Sequence, residues 1–328
     1  MTQNRSGFQR FSLVICGVNF FVATFFFSPN LWARLPEESD LSAVMELEKA
    51  DFDIRKDGTF QMDYESRIAI LSEGGRDANA VKRISFNSRA SAFELLSAVT
   101  INEGVEIKVA PSNIEIKEVG DSKVFDSTKE AIISFPAVRV GSRIQVRYRL
   151  KFKEVPIEGF FSSGVSVELQ NIDVLKRTFR SALPLYVSEN DKMDLLDVTS
   201  RKDGSKYVVE ISNKKKIRLG VVQEEAPYVQ NGRLPSVMVS TRESWEGFAA
   251  EIVKEQERHL AVADKGLPKV LEAIREEAMK QEPSMRMAFV AARIAQEFRY
   301  FGDWRRRNGG HVPRTLDEIA QTAYGACK

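Results

Sequence analysis

The residues with the most chemistry in their spacing are Gly325, Ala326, Cys327 and Lys328, the last four of the 328-residue chain. A glycine that allows a tight turn, followed two positions on by a cysteine, presents a thiol in the first turn of a new helix. Free backbone N–H groups and the helix dipole there favour the thiolate. A thiolate attacks amide and ester carbonyls, and an adjacent N–H can hold the developing oxyanion. Such a nucleophile needs a base. The chain holds two histidines, His259 and His311, and both precede the cysteine. His259 closes a helical pattern and His311 sits in a Gly-Pro loop, so neither is assigned as the base. Lys328 and the run Arg305, Arg306, Arg307 are nearby cations that could lower the thiol pKa.

The elements that must position this thiol are helical. In "SWEGFAAEIVKEQERH", Trp245, Phe248, Ala249, Ile252 and Val253 recur at helical spacing behind a Ser244 cap. "LPKVLEAIREEAMK" repeats the pattern, with Pro268 in its first turn, and "SMRMAFVAARIAQEFRY" gives a third helix. "TLDEIAQTA" gives a short fourth, opened by a Thr315–Glu318 capping box. The loop "FGDWRRRNGGHVPR" lies between the last two. It suits either a cleft lining or a solvated turn.

Upstream of about residue 241 the period is two. "FQMDYESRIAI" pairs with "FDI" across an Asp57-Gly58 turn, and "ELLSAVTI" pairs with "VEIKV" across Asn102, Glu103 and Gly104. "NIEIKEV", "AIISF", "RIQVRYRLKFK", "VSVELQ" and "KYVVEIS" continue the strands. So many strands without intervening helical patterns predict an antiparallel sandwich over 46–235, followed by a helical unit over 241–328, an α+β fold. The basic side of 143–153 and the cluster "NKKKIR" at 213–218 are read as solvated strand faces, since Lys and Arg also protect exposed edges.

At the start, a polar segment bearing Arg5 and Arg10 precedes an uncharged apolar run from Phe11 to Phe27. This layout predicts an export signal or an uncleaved anchor over 1–33, with Ala33 before a cleavage point. Cys16 is apolar filler there. Once residues 1–33 are removed, Cys327 is the sole cysteine and no intramolecular disulfide is available. Of 48 basic and 46 acidic side chains, Arg5 and Arg10 account for the whole excess. No nucleic-acid partner is therefore expected. No cofactor and no metal site is expected either.

The stretch "EIKVAPSNIEIKEVGDSKVFDSTKEAIISFPAVRVGSRIQVRYRLKF", 106–152, resembles a domain of unknown function that precedes transglutaminase-like cores in bacterial envelope proteins. The carriers are Ser134-Phe135-Pro136 and the Val140-Gly141-Ser142 turn into a long strand. "STRESWEGFA" is similar to the segment that opens the transglutaminase-like part, and "FRYFGDWRRRNGGHVPRTLDEIAQTAYGACK" to the approach to its nucleophile. The resemblance implies that Cys327 is the nucleophile of a cysteine acyltransferase or peptidase with a papain-like core. It also implies that the His and Asp of the triad follow the cysteine, so the chain as given is expected to be a truncated, inactive relative. Ala326 departs from the Asp that many relatives carry. The alternative is a non-catalytic β module that binds a protein or glycan of the cell envelope. Membrane contact is expected only through the N-terminal segment, in a periplasmic or periplasm-facing protein.

Overall fold

A computed structural model describes residues 41–119, 127–155, 157–167, 171–218, 234–260, 266–300 and 314–325. The β part opens with the hairpin of β1 (Ala43–Ile54) and β2 (Phe60–Ile70). Its strands pair from Ile54↔Phe60 to Ala43↔Ile70, as the alternation predicts. Gly58 makes the turn with φ +83°, and a Cβ there would stand 2.8 Å from the Phe160 carbonyl oxygen, so both conformation and close approach require glycine. Asp57 accepts from the Thr59 amide at 2.9 Å and its hydroxyl at 2.7 Å, which holds the Asp57 carboxyl below the ordinary carboxylate range.

A helix follows, α1 (Glu73–Asn79), which lies outside the sequence-based expectation. Gly74 and Gly75 hide it from a propensity reading, but Ser72 caps it by accepting from the Gly75 amide. Then come β3 (Val81–Asn87), β4 (Ser91–Asn102), β5 (Val105–Lys108), β6 (Ile114–Glu118), β7 (Thr128–Ser134) and β8 (Arg143–Phe152). The β4–β5 turn is Glu103-Gly104, with φ of +53° and +84°, the paired positive angles of a tight hairpin. The chain continues through β9 (Ser162–Ser166), β10 (Asn171–Ile172), β11 (Leu175–Ser181), β12 (Tyr186–Asn190), β13 (Leu196–Asp203), β14 (Lys206–Asn213), β15 (Ile217–Arg218) and β16 (Ser236–Ser240).

The large sheet runs β13-β14-β11-β1-β2-β8-β4-β5, with β10 paired to β1 and β15 to β10. Two three-stranded sheets, β12-β16-β9 and β3-β7-β6, complete the β part among the described residues. Both cover the same face of the large sheet. Phe60 packs in the core that includes Val237 and Val239 of β16, whereas Ile68 and Ile70 pack in the core that includes Ala131 and Ile133 of β7. Phe60, Ile68 and Ile70 are an even number of residues apart on β2, so they share a face. Met45, Met62, Tyr64 and Phe152 lie at the seam and touch both cores.

Two features correct the sequence reading. First, β1 pairs β11 in parallel over Glu48↔Leu175 to Ile54↔Ser181, so the β part is not wholly antiparallel. Period-two alternation says which side chains share a face and nothing about the direction of the neighbouring strand. Second, β16 extends the β part beyond 235, and Thr241 ties it in: the Phe161 amide donates to its hydroxyl at 2.9 Å, and that hydroxyl donates to the Gly159 carbonyl at 2.8 Å.

The helical part comprises α2 (Trp245–Leu260), α3 (Lys269–Met279), α4 (Arg286–Glu297) and α5 (Leu316–Thr322), with the short strands β17 (Arg299–Tyr300) and β18 (Tyr324–Gly325). Pro268 is the N-cap of α3 rather than a first-turn residue. Strands followed by helices make the fold α+β. No helix among the described residues is long and apolar enough to cross a membrane.

Candidate functional site

Cys327 and Lys328 lie outside the described residues, as do Ala326, His311, the Arg305–Arg307 run and the whole of 1–33. His259 falls in α2. What the structure shows is the backbone that leads to the cysteine. Thr315 accepts from the Glu318 amide while the Glu318 carboxylate accepts from the Thr315 amide, each at 3.2 Å, which is the capping box read from the sequence. α5 ends at Ala323, a left-handed residue with φ +54°. The left-handed turn between α5 and β18 is made by Ala323. Gly325 instead sits in β18, opposite Tyr300, and a Cβ added there would meet nothing within 4 Å.

Arg314 holds this turn together. It donates to the Tyr324 carbonyl at 3.3 Å, the Glu318 carbonyl at 3.2 Å and the Thr322 hydroxyl at 2.9 Å. The Arg299 amide adds a bond to the Ala323 carbonyl at 2.9 Å. A planar guanidinium with five donors can satisfy the orphan carbonyls of a helix end and the next strand at once. The sequence reading passed over Arg314. Its signal was a cation immediately before a capping box.

The rest of the helical part presents apolar side chains outward. Met287 is 84% exposed and Trp245 82%, and Met279, Met285, Ile294 and Tyr300 are also exposed. Arg293 links α3 to α4 by pairing with Glu277, and also pairs with Glu297, at 3.2 Å each. α2 is joined to the β part instead. Phe248 stacks on Phe160 with centroids 4.4 Å apart, and the Arg242 Nε donates to both Glu251 oxygens at 2.9 and 3.0 Å. The remaining Arg242 nitrogens reach the Gly159 and Glu158 carbonyls.

The basic side of β8 is the outer face of the large sheet, and carboxylates of the flanking strands meet it. Arg149 donates to both oxygens of Asp63 at 2.7 and 2.9 Å, and Lys151 pairs with Glu94 at 3.4 Å. Arg147 faces Glu65, and Arg180 and Lys49 face Asp51. The Arg149 guanidinium holds the Asp63 carboxyl below its ordinary range. Solvent screens such half-exposed pairs, so their role is charge balance and strand partnership more than stability. In "NKKKIR", Lys214 pairs with Asp194, and Lys216 and Arg218 with Asp173.

Under the seam, the Glu48 carboxylate accepts from Arg177 at 2.7 Å and from the Tyr64 hydroxyl at 3.3 Å, and Tyr64 stacks on Tyr148. Burial pushes both phenols up, Tyr148 to about 12. No group of three or more His, Cys, Asp or Glu among the described residues could hold a metal ion.

Comparison with known proteins places these features in a context. A crystal structure of a "putative protease" from Parabacteroides distasonis superposes with a TM-score of 0.69 at 13% identity, over 87% of this chain and 56% of that protein. The chain thus spans little more than half of that protein's length, and at this identity the likeness is one of fold. An M1 zinc metallopeptidase from Deinococcus radiodurans (8% identity, 61% of this chain and 42% of that one) reaches a TM-score of 0.31. Leukotriene A4 hydrolase from Saccharomyces cerevisiae (9% identity, 61% and 29%) also reaches 0.31. Both are too dissimilar to carry an argument. No curated protein matches the chain. The sequence profile of the domain of unknown function DUF3857 matches residues 56–234, more than half of the chain, and the chain belongs to that family.

Proposed function

We propose that this is an exported envelope protein of the transglutaminase-like kind, in which a β-sandwich module carries a helical unit that presents Cys327 as the nucleophile for amide acyl transfer or hydrolysis. The observation that supports it best is the built approach to the cysteine: a capped helix, a left-handed Ala323 and a strand pair, all fastened by Arg314. Fixing the backbone next to a nucleophile limits the orientations it must search before attack. Two further supports are the resemblance of 240–249 and 298–328 to the transglutaminase-like pattern, and the fold shared with a protein whose name is that of a protease. In this reading the thiolate adds to the amide carbonyl, backbone N–H groups stabilise the oxyanion, and the amine leaves with a proton from a histidine that transglutaminase-like proteins carry after the cysteine.

The test is the pH dependence of thiol alkylation, compared between the 328-residue chain and a fusion that adds the family's His- and Asp-bearing strands. The shorter chain should titrate near the ordinary thiol value of about 8.5. The fusion should react well below it and cleave amide or ester probes, with both properties lost in Cys327→Ser. A fusion whose thiol stays near the ordinary value and turns nothing over would leave a non-catalytic module for an envelope protein or glycan. That second reading draws on the β part, whose outer face offers alternating charges to a partner.

A further inference from the structure

At one end of the outer face the charge pattern changes character. β1 carries an extra residue at Glu46, where its register against β2 shifts between Met45 and Leu47. A bulge of this kind re-aims a side chain, and here it brings Glu46 between Arg67 of β2 and Arg143 of β8. One Glu46 oxygen accepts from the Arg67 Nε at 2.9 Å. The Arg143 Nε bonds both oxygens at 2.8 and 3.0 Å. Each guanidinium is thus gripped by its inner nitrogen alone. Among the described residues the terminal nitrogens of Arg67 and Arg143 make no hydrogen bond. Arg149 shows the contrast, for Asp63 occupies its Nε and a terminal nitrogen together.

These two guanidinium groups border an open groove of about 630 Å³. Lys216 and Asp173, themselves 3.5 Å apart, form the other side, and Ile101 and Val174 supply apolar walls. Among the described residues three cations and two carboxylates line it. A guanidinium whose outer edge is unused matches a carboxylate or phosphate in a two-bond arrangement, and a second one beside it can take the remaining oxygen.

We propose that this groove is a binding site for an oxyanion-bearing ligand, with Arg67 and Arg143 as the recognising fork and Glu46 as the residue that positions it. The site is independent of the reading of Cys327. Its ligand carries a carboxylate or phosphate group next to a small apolar portion that fits against Ile101 and Val174.

The experiment is a titration of the 328-residue chain with acetate and with inorganic phosphate at constant ionic strength, followed by the arginine side-chain NMR signals. Saturable shifts confined to Arg67 and Arg143 are expected. Arg67→Lys and Arg143→Lys keep the charge and lose the fork, so each should weaken binding about tenfold. Glu46→Gln adds net positive charge while releasing both arginines, and should also weaken it. Lys151→Ala, which removes a cation elsewhere on the same face, should leave the affinity unchanged. Tighter acetate than phosphate binding assigns a carboxylate ligand, and the reverse assigns a phosphate group. Tighter binding by Glu46→Gln, an equal loss in Lys151→Ala, or no saturation by about 50 mM of either anion overturns the site.

Discussion

At the scale of single residues, the polar cluster under the seam ties structure to a measurable titration. Tyr64 and Tyr148 are driven up first by burial, and Tyr148 reaches about 12. In the unfolded chain both would ionise near 10. Between those values the folded state binds more protons than the unfolded one, so stability must fall as pH rises through about 10 to 12. An alkaline spectrophotometric titration should show Tyr64 and Tyr148 ionising late, with Tyr148→Phe removing one late step and part of the alkaline loss of stability. Simultaneous ionisation of all tyrosines near 10 in the native protein would count against this burial. The cluster was not visible in the sequence. Glu48, Tyr64, Tyr148 and Arg177 are up to 129 positions apart, and only the pairing of β1 with β2 and β11, and of β2 with β8, brings them together.

At the scale of elements, the decisive strand is β16. It lies between β12 and β9, and its Val237 and Val239 are fully buried. A β fragment that ends at 235 loses this central strand and about 1.5–3 kcal/mol for each buried valine, and it exposes two strand edges. α2 also belongs energetically with the β part, through the Phe160–Phe248 stack and the Arg242 bonds. A 41–260 fragment should therefore unfold cooperatively with a strand-dominated dichroism spectrum, whereas 46–235 should show a lower thermal midpoint or aggregate. Equal midpoints for the two fragments would mean that β16 and α2 contribute little. The hairpins, the long β8 and the helices were legible because each announces itself locally, by alternation, turn residues or a cap. α1 was not, because its two glycines weaken the helical signal while Ser72 and the packing against Ser42 hold it.

At the scale of the whole molecule, the reading of 1–33 as an export segment has a direct test. Deleting it should retain the protein in the cytoplasm, whereas the intact chain should fractionate with the periplasm or the membrane. Identical fractionation of the two would remove the export reading, and sequencing the mature N-terminus would show whether Ala33 precedes a cut. The described part of the chain combines a two-layer β region with helices whose apolar side chains, Met287 and Trp245 among them, stand in solvent.

The sequence by itself determined the main hairpins, the long β8, the helices after residue 241, and which face of β2 and β8 is apolar. These follow from interactions within a dozen residues: side-chain alternation, turn chemistry and capping. It also carried the one motif with nucleophile chemistry, Gly325-Ala326-Cys327, and enough of the DUF3857 pattern for that family to be met. Only the tertiary structure decided that β11 returns parallel to β1, that both small sheets cover one face, that Arg314 fastens the turn before the cysteine, and that a bulge sets Glu46 between Arg67 and Arg143. The reason is physical: strand direction, strand order and the meeting of charges depend on how distant segments return past one another, and an alternating pattern is equally satisfied by many such returns.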